Sequence, residues 1–177
     1  MICVLRIIGY FVIFVNPVVG VLLSMFLDII DGLLFGFGGF SLEEYHRFDK
    51  PVDYIQYVFM LIPAYFQPIF TIYVALLLFR TVGMLLYRRY HSRWLFVIFP
   101  NVAEYYFLLY FLNQAFGWFT YSGNEVTILL MLYLFKLLHE YYLHIMRDNK
   151  NIITFKLMYR LRLALGFRPI EGNPYIK

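Results

Sequence analysis

The sequence is poor in cysteine and in charge. One of its 177 residues, Cys3, is a cysteine, and only 15% are charged, whereas 62% are hydrophobic. A single cysteine excludes an internal disulfide and a zinc site built from several cysteines. A soluble domain of this length cannot bury so much apolar surface. The composition therefore predicts an integral membrane protein.

Long apolar runs divide the chain into membrane-crossing segments, each needing about 20 residues to cross. The candidate segments are residues 2–16, 17–35, 51–66, 69–88, 94–115 and 124–146. The first is short, so residues 2–35 can instead form one long helix that is kinked at Pro17. The sequence predicts an all-α integral membrane protein, a bundle of about six transmembrane helices, or five.

Basic residues are unevenly distributed among the connections. They crowd residues 88–93 and the tail, whereas residues 116–124 contain none. Lysine and arginine accumulate on the cytoplasmic side of membranes. Residues 88–93 and the tail are therefore assigned to the cytoplasm, and residues 116–124 to the outside. Counting back through one hairpin assigns residues 36–50 to the cytoplasm as well.

The tail differs in composition from the rest of the chain. We divide the protein into a transmembrane domain, residues 1–147, and a basic cytoplasmic tail, residues 148–177. Residues 151–167 mix basic and apolar side chains, a pattern that favours an interfacial helix on anionic membrane lipid. Basic and aromatic residues at membrane edges explain the rest of the pattern, so no nucleic-acid partner is expected.

Four of the five aspartates, Asp28, Asp31, Asp49 and Asp53, lie between residues 28 and 53. The members of each pair are three or four residues apart and share a helix face. The predicted topology brings both pairs to the cytoplasmic side at similar depth, where four carboxylates repel one another and resist desolvation. A divalent cation relieves both effects, and oxygen ligands suit Mg²⁺, Mn²⁺ or Ca²⁺.

A plainer interpretation of these aspartates stays open. Acidic residues at helix ends are often only solvated, and Asp49 can cap a helix that begins near Pro51. Gly32, directly after Asp31, allows a backbone or a ligand to approach closely.

The spacing of the aspartates resembles a known motif. Asp28, Asp31 and Gly32, followed by Asp49 and Asp53 within "DKPVD", match the pattern D-x-x-D-G-x-x-A-R-x(8)-G-x-x-x-D-x-x-x-D without a gap. That pattern is the motif of the CDP-alcohol phosphatidyltransferase family. Three positions depart from it. Phe35 and Gly36 replace Ala-Arg, and Tyr45 replaces the middle glycine.

The resemblance implies an enzyme of phospholipid synthesis. It would move a phosphatidyl group from a CDP-linked lipid, usually CDP-diacylglycerol, to a small alcohol, with release of CMP. By this resemblance Asp28, Asp31 and Asp49 hold Mg²⁺ or Mn²⁺, Asp53 is the general base and a further candidate metal ligand, and Gly32 contacts the nucleotide. Members of the family tend to form homodimers, so a homodimer is one expected assembly.

Two arginines are further candidates for the site. Arg80 lies inside an apolar run and Arg88 near its end, on a helix that reaches the cytoplasmic side. An arginine within the membrane needs a partner or a polar cavity. We interpret Arg80 and Arg88 as candidates for binding the diphosphate or an anionic acceptor. Snorkelling and ordinary positive-inside placement are the alternatives.

Two other functions are consistent with the sequence. A non-catalytic relative would keep the metal-binding acidic cluster but lose the nucleotide pocket, because Phe35 and Tyr45 are larger than the family's residues, and would act as a scaffold or regulator. A small cation carrier would use the same carboxylates for metal flux.

Glu104 and Lys136 are charges within predicted membrane segments. They could pair across the last hairpin, and a structural pairing is favoured over a catalytic role.

Overall fold

The computed structural model describes residues 2–118, 123–142, 145 and 148–170; the side chains of residues 2–5, 42–43, 46–48 and 148–153 are outside this description. Residues 119–122 of the predicted external connection and residues 171–177 of the tail lie outside the described residues. The described chain is helical and contains no strand. Its helices are α1 (Ile2–Tyr10), α2 (Val12–Val15), α3 (Pro17–Phe37), α4 (Leu42–Tyr65), α5 (Phe70–Tyr90), α6 (Trp94–Ile98), α7 (Val102–Phe116), α8 (Glu125–Tyr141) and α9 (Asp148–Ala164).

Three segments in the described part of the chain are long and apolar enough to cross a membrane. They are Pro17–Phe37, Phe70–Tyr90 and Trp94–Phe116, the last of which combines α6 and α7. Arg6–Val15 is apolar but shorter. The all-helical, membrane-associated class predicted from composition is confirmed at this level.

The first segment and α3 are separate helices rather than one kinked helix. Asn16 has an extended backbone (φ −146°, ψ 102°) between α2 and α3. Its side chain accepts a hydrogen bond from the backbone N–H of Val19 at 3.1 Å, and Pro17 occupies the first helical position, where a missing N–H is tolerated. The break folds α2 back against α3. Gly20 permits this, because a Cβ there would lie 2.4 Å from the backbone nitrogen of Ile13.

We predict that Gly20→Ala destabilises the protein. The added methyl group meets backbone atoms of α2, which cannot rotate away, and overpacking of this kind costs about 1–3 kcal/mol. Thermal unfolding in detergent would measure the change. The matched control is Gly9→Ala, whose nearest contact is the end of the Leu27 side chain at 3.0 Å. Equal melting temperatures for the two variants would contradict the account of this break.

Helix α4 begins earlier than the sequence interpretation placed it. Its N-cap is Ser41, whose hydroxyl accepts from the Glu44 backbone N–H at 3.2 Å, while the Glu44 carboxylate accepts from the Ser41 backbone N–H at 2.7 Å. This reciprocal capping box fixes the start at Leu42. Asp49 therefore lies inside α4 and does not cap a helix at Pro51. The Glu44 carboxylate accepts hydrogen bonds from the backbone N–H and the hydroxyl group of Ser41, and these two bonds lower its pKa.

The bundle is organised around α3, α4 and α7, which contact one another. Its core contains many aromatic residues, and buried tyrosines direct their hydroxyl groups to backbone carbonyls. Tyr73 donates to the carbonyl of Tyr57 at 2.9 Å, and Tyr10 to that of Val52 at 3.3 Å. These bonds satisfy polar groups that would otherwise be unpaired in the apolar interior.

Helix α9 packs along α3. Phe155 and Tyr159 are buried, whereas the basic side chains of Lys156 and Arg160 are exposed. Contact is close at Gly36, where a Cβ would lie 3.2 Å from the Cα of Phe155. The predicted helix in the tail is present, and its apolar side covers the end of α3 that follows the aspartates.

Candidate metal centre

Helices α3 and α4 bring the four aspartates together. They are joined by a short connection, in which Gly39 has a positive φ of 79°, so the end of α3 lies beside the beginning of α4. Carboxylate oxygens of Asp28, Asp49 and Asp53 lie within 4.8 Å of one another. Carboxylates at this spacing suit a hard divalent cation such as Mg²⁺ or Mn²⁺. The structure therefore brings the two pairs of aspartates together, as the sequence predicts.

Asp31 stands slightly apart from the other three carboxylates. Its side chain is 1% exposed, whereas that of Asp28 is 45% exposed, so the cluster opens toward Asp28. Asp31 Oδ1 is buried and has no hydrogen-bond partner among the described residues. A buried carboxylate oxygen without a partner is costly.

A guanidinium group occupies the centre of the cluster. Arg6 Nη1 lies 3.1 Å from Asp28 Oδ1, 3.2 Å from Asp31 Oδ2 and 2.9 Å from Asp49 Oδ1, and Nη2 lies 2.7 Å from Asp53 Oδ1. The arginine comes from α1, which packs against both α3 and α4. One buried cation thus contacts all four carboxylates.

A second cation flanks the cluster. Lys50 Nζ donates to Asp49 Oδ2 at 3.0 Å and to Asp53 Oδ2 at 3.2 Å. Arg6 and Lys50 thus place two cations against the buried carboxylate of Asp49, one on each of its oxygens.

Aromatic rings fill the space beside Gly32 and Gly36. The Tyr45 hydroxyl is 3.6 Å from the position of a Cβ at Gly32, and it donates to Asp28 Oδ1 or Asp49 Oδ1, each at 3.3 Å. Its ring centroid is 5.4 Å from that of Phe35 and 5.9 Å from that of Phe155. We call Phe35, Tyr45 and Phe155 the aromatic cluster. It covers the place where the resemblance puts the nucleotide.

Among the described residues, neither candidate phosphate-binding arginine forms an ion pair with the aspartates, although the charge of Arg80 acts on Lys50. Arg80 is buried, donates from Nη1 to the carbonyl of Phe99 at 2.6 Å and lies 4.9 Å from the centroid of the Phe96 ring. Arg88 is exposed in the last turn of α5. Arg80 thus holds the connection between α6 and α7 in this structure.

Glu104 and Lys136 interact electrostatically, but their direct contacts in the described residues are with other groups. Glu104 accepts from the side-chain amides of Gln56 and Asn101, each at 2.8 Å. Lys136 instead pairs with Glu140, one turn along α8, at 3.4 Å. Pairing within one helix needs no alignment between helices, which explains why it occurs here.

An apolar groove of about 480 Å³ lies between α7 and α8, away from the aspartates. It is lined by Leu109, Asn124, Thr127, Ile128, Met131, Leu132 and Phe135. Its mostly apolar lining suits lipid chains rather than a polar substrate. The candidate functional site is therefore the aspartate cluster and not this groove.

Sequence reasoning missed Arg6, Lys50 and the Tyr45 hydroxyl. The signal for Arg6 was present, because it is the lone charge at the edge of the apolar run 7–27, and an arginine in such a place needs an anionic partner. The capping box at Ser41 was also visible as serine followed three residues later by glutamate.

A scan of the chain against protein-family models finds no match, and searches for similar curated proteins and similar solved structures find none either. The resemblance to the CDP-alcohol phosphatidyltransferases therefore rests on the motif residues themselves.

Proposed function

We propose that the protein is a membrane phosphotransferase of the CDP-alcohol phosphatidyltransferase type. The observation that carries this proposal is the cluster of Asp28, Asp49 and Asp53, whose oxygens lie within 4.8 Å of one another at motif spacing. The donor set is all carboxylate, which matches the preference of Mg²⁺ and Mn²⁺.

The proposed reaction assigns a role to each residue. The acceptor alcohol forms a bond to the lipid-side phosphorus of the CDP-linked lipid, the bond from that phosphorus to CMP breaks, and CMP leaves with the electron pair. Asp53 takes the proton of the alcohol. Asp28, Asp31 and Asp49 would hold Mg²⁺ or Mn²⁺, and Gly32 would contact the nucleotide once the Tyr45 ring moves aside. The metal would neutralise charge on the diphosphate.

The membrane arrangement follows from the same proposal. Helices α4 and α8 cross the bilayer beside the three long apolar segments, with α1 and α2 as a short sixth element. The aspartates then lie at the cytoplasmic face, within reach of a lipid headgroup and a water-soluble alcohol. We propose a homodimer as the assembly, by resemblance to the family.

Product formation from CDP-diacylglycerol tests the proposal. Purified protein in liposomes is supplied with Mg²⁺ or Mn²⁺ and one alcohol at a time, such as glycerol phosphate, inositol phosphate, serine or a second phospholipid. We expect CMP and one new phosphodiester lipid, in equal amounts, with a single acceptor. Folded protein that yields no CMP with any acceptor would contradict the proposal.

Two observations favour a second candidate, a non-catalytic relative. Arg6 contacts all four carboxylates, and the aromatic cluster covers the nucleotide side at Gly32. Such a protein would keep the cluster as a structural centre. It predicts no CMP release under any condition and unchanged stability when divalent cations are removed.

A further inference from the structure

Arg6 shares its oxygen partners with the proposed metal. Its Nη1 lies 2.9–3.2 Å from carboxylate oxygens of three aspartates, and Nη2 lies 2.7 Å from an oxygen of the fourth. A bound Mg²⁺ sits about 2.0–2.1 Å from each carboxylate oxygen, so it needs the space among the same oxygens. The guanidinium and the metal cannot both contact that set.

We propose that Arg6 is the resident cation of the metal-free protein, and that a divalent cation binds by displacing its guanidinium from Asp28, Asp49 and Asp53. The proposal rests on the proposed function for the identity of the site. The exchange itself is a binding equilibrium that requires no turnover.

The need for such a cation follows from electrostatics. Two of the carboxylates, those of Asp31 and Asp49, are almost fully buried. Buried charges without a partner are strongly destabilising. A helix-borne arginine supplies the partner whenever no metal is bound. The cluster therefore stays compatible with the membrane before it is loaded.

The arginine contact is also incomplete. Within the described part of the chain, Arg6 Nε is buried without a hydrogen-bond partner, and so is Asp31 Oδ1. Each unmade bond weakens the resting arrangement, because a buried polar group without a partner has lost its hydration and gained nothing in return. An arrangement with such losses is easier for a doubly charged ion to replace.

Binding of Mn²⁺ alone to the full-length protein tests the exchange. Free Mn²⁺ is measured by electron paramagnetic resonance, without nucleotide or lipid substrate. If Arg6 competes with the metal, removing it raises the apparent affinity for Mn²⁺ by the factor by which Arg6 had reduced the population of open sites. We expect Arg6→Gln to lower the dissociation constant for Mn²⁺ about tenfold, which corresponds to ~1.4 kcal/mol.

Lys50→Gln is the matched control for charge. It removes one positive charge in contact with the same cluster, but Lys50 contacts Oδ2 atoms of Asp49 and Asp53, whereas Arg6 contacts their Oδ1 atoms. If the metal displaces Arg6, Lys50→Gln gains clearly less affinity for Mn²⁺ than Arg6→Gln does. Equal gains for the two variants, or none for Arg6→Gln, would overturn the proposal.

Thermal unfolding gives a second and independent readout. We expect Arg6→Gln to melt below the wild type in EDTA, and Mn²⁺ to recover most of that deficit. An equal loss of melting temperature in EDTA and in Mn²⁺ would mean that Arg6 is merely structural.

If Arg6→Gln does not fold in either condition, binding of Mn²⁺ to Arg6→Lys tests the proposal instead. Its single nitrogen cannot contact all four carboxylates, so Mn²⁺ must bind it more tightly than the wild type; equal or weaker binding contradicts displacement.

These readouts are separate from catalysis. If Mn²⁺ displaces Arg6 but the protein releases no CMP, the exchange is supported and the proposed function is contradicted. If the protein releases CMP but Arg6→Gln leaves its affinity for Mn²⁺ unchanged, the proposed function is supported and the exchange is contradicted.

Discussion

Asp53→Asn is expected to lower kcat for CMP release by about 10²–10⁴-fold, the usual contribution of a general base. The amide has nearly the shape of the carboxylate but cannot take the proton of the alcohol. Asparagine also removes one of the three clustered carboxylates, so metal affinity falls as well. The comparison is therefore made at saturating Mg²⁺, with kcat and KM determined separately.

Asp148→Asn is the control for this effect, because Asp148 is the one aspartate outside the motif. We expect it to keep the wild-type rate. Persistence of the rate in Asp53→Asn at saturating Mg²⁺ would remove Asp53 from the role of base. Loss of rate in Asp148→Asn as well would show that any such change damages the protein nonspecifically.

Tyr45→Gly is expected to lower KM for CDP-diacylglycerol by about 5- to 150-fold. Under the proposed function, the nucleotide would reach Gly32 only when the Tyr45 ring leaves its contacts with Phe35 and Phe155. Two aromatic contacts are worth about 1–3 kcal/mol, which is ~5- to 150-fold in affinity. Glycine at this position matches the family pattern and has no ring to displace.

Tyr45→Phe separates the ring from the hydroxyl. It keeps the aromatic cluster and removes the hydrogen bonding of Tyr45 to Asp28 and Asp49. We expect its KM to stay near that of the wild type. Glycine inside a helix costs about 1 kcal/mol, so the melting temperature is measured beside KM. A folded Tyr45→Gly protein with unchanged or higher KM would mean that the ring does not obstruct the nucleotide.

The helical class and the meeting of the aspartates were predictable from the sequence. Apolar runs require helices in a membrane, because the backbone must satisfy its own hydrogen bonds there. A spacing of three or four residues fixes which side chains share a face. The predicted topology also brought both pairs to the same side of the membrane at similar depth. The short connection between α3 and α4, and the spacing of the oxygens within 4.8 Å, are seen only in the structure.

Arg6 and Phe155 show what local rules omit. Arg6 is far from the aspartates in sequence, and its contacts depend on how α1 packs against two other helices. Phe155 reaches Tyr45 only because α9 lies along α3 at Gly36. The mixture of basic and apolar residues in α9 suits a helix lying on lipid or on protein equally well, so composition alone does not identify the surface that it covers.

Dependence of CMP release on a divalent cation tests the central claim most directly. The purified protein is stripped of metal with EDTA, mixed with CDP-diacylglycerol and its acceptor alcohol, and assayed before and after Mg²⁺ or Mn²⁺ is added back. The account predicts no CMP before addition and sustained release afterward. Release at the same rate without a divalent cation, or none with it from folded protein, would contradict the assignment of Asp28, Asp31, Asp49 and Asp53 as a metal-dependent phosphotransfer site.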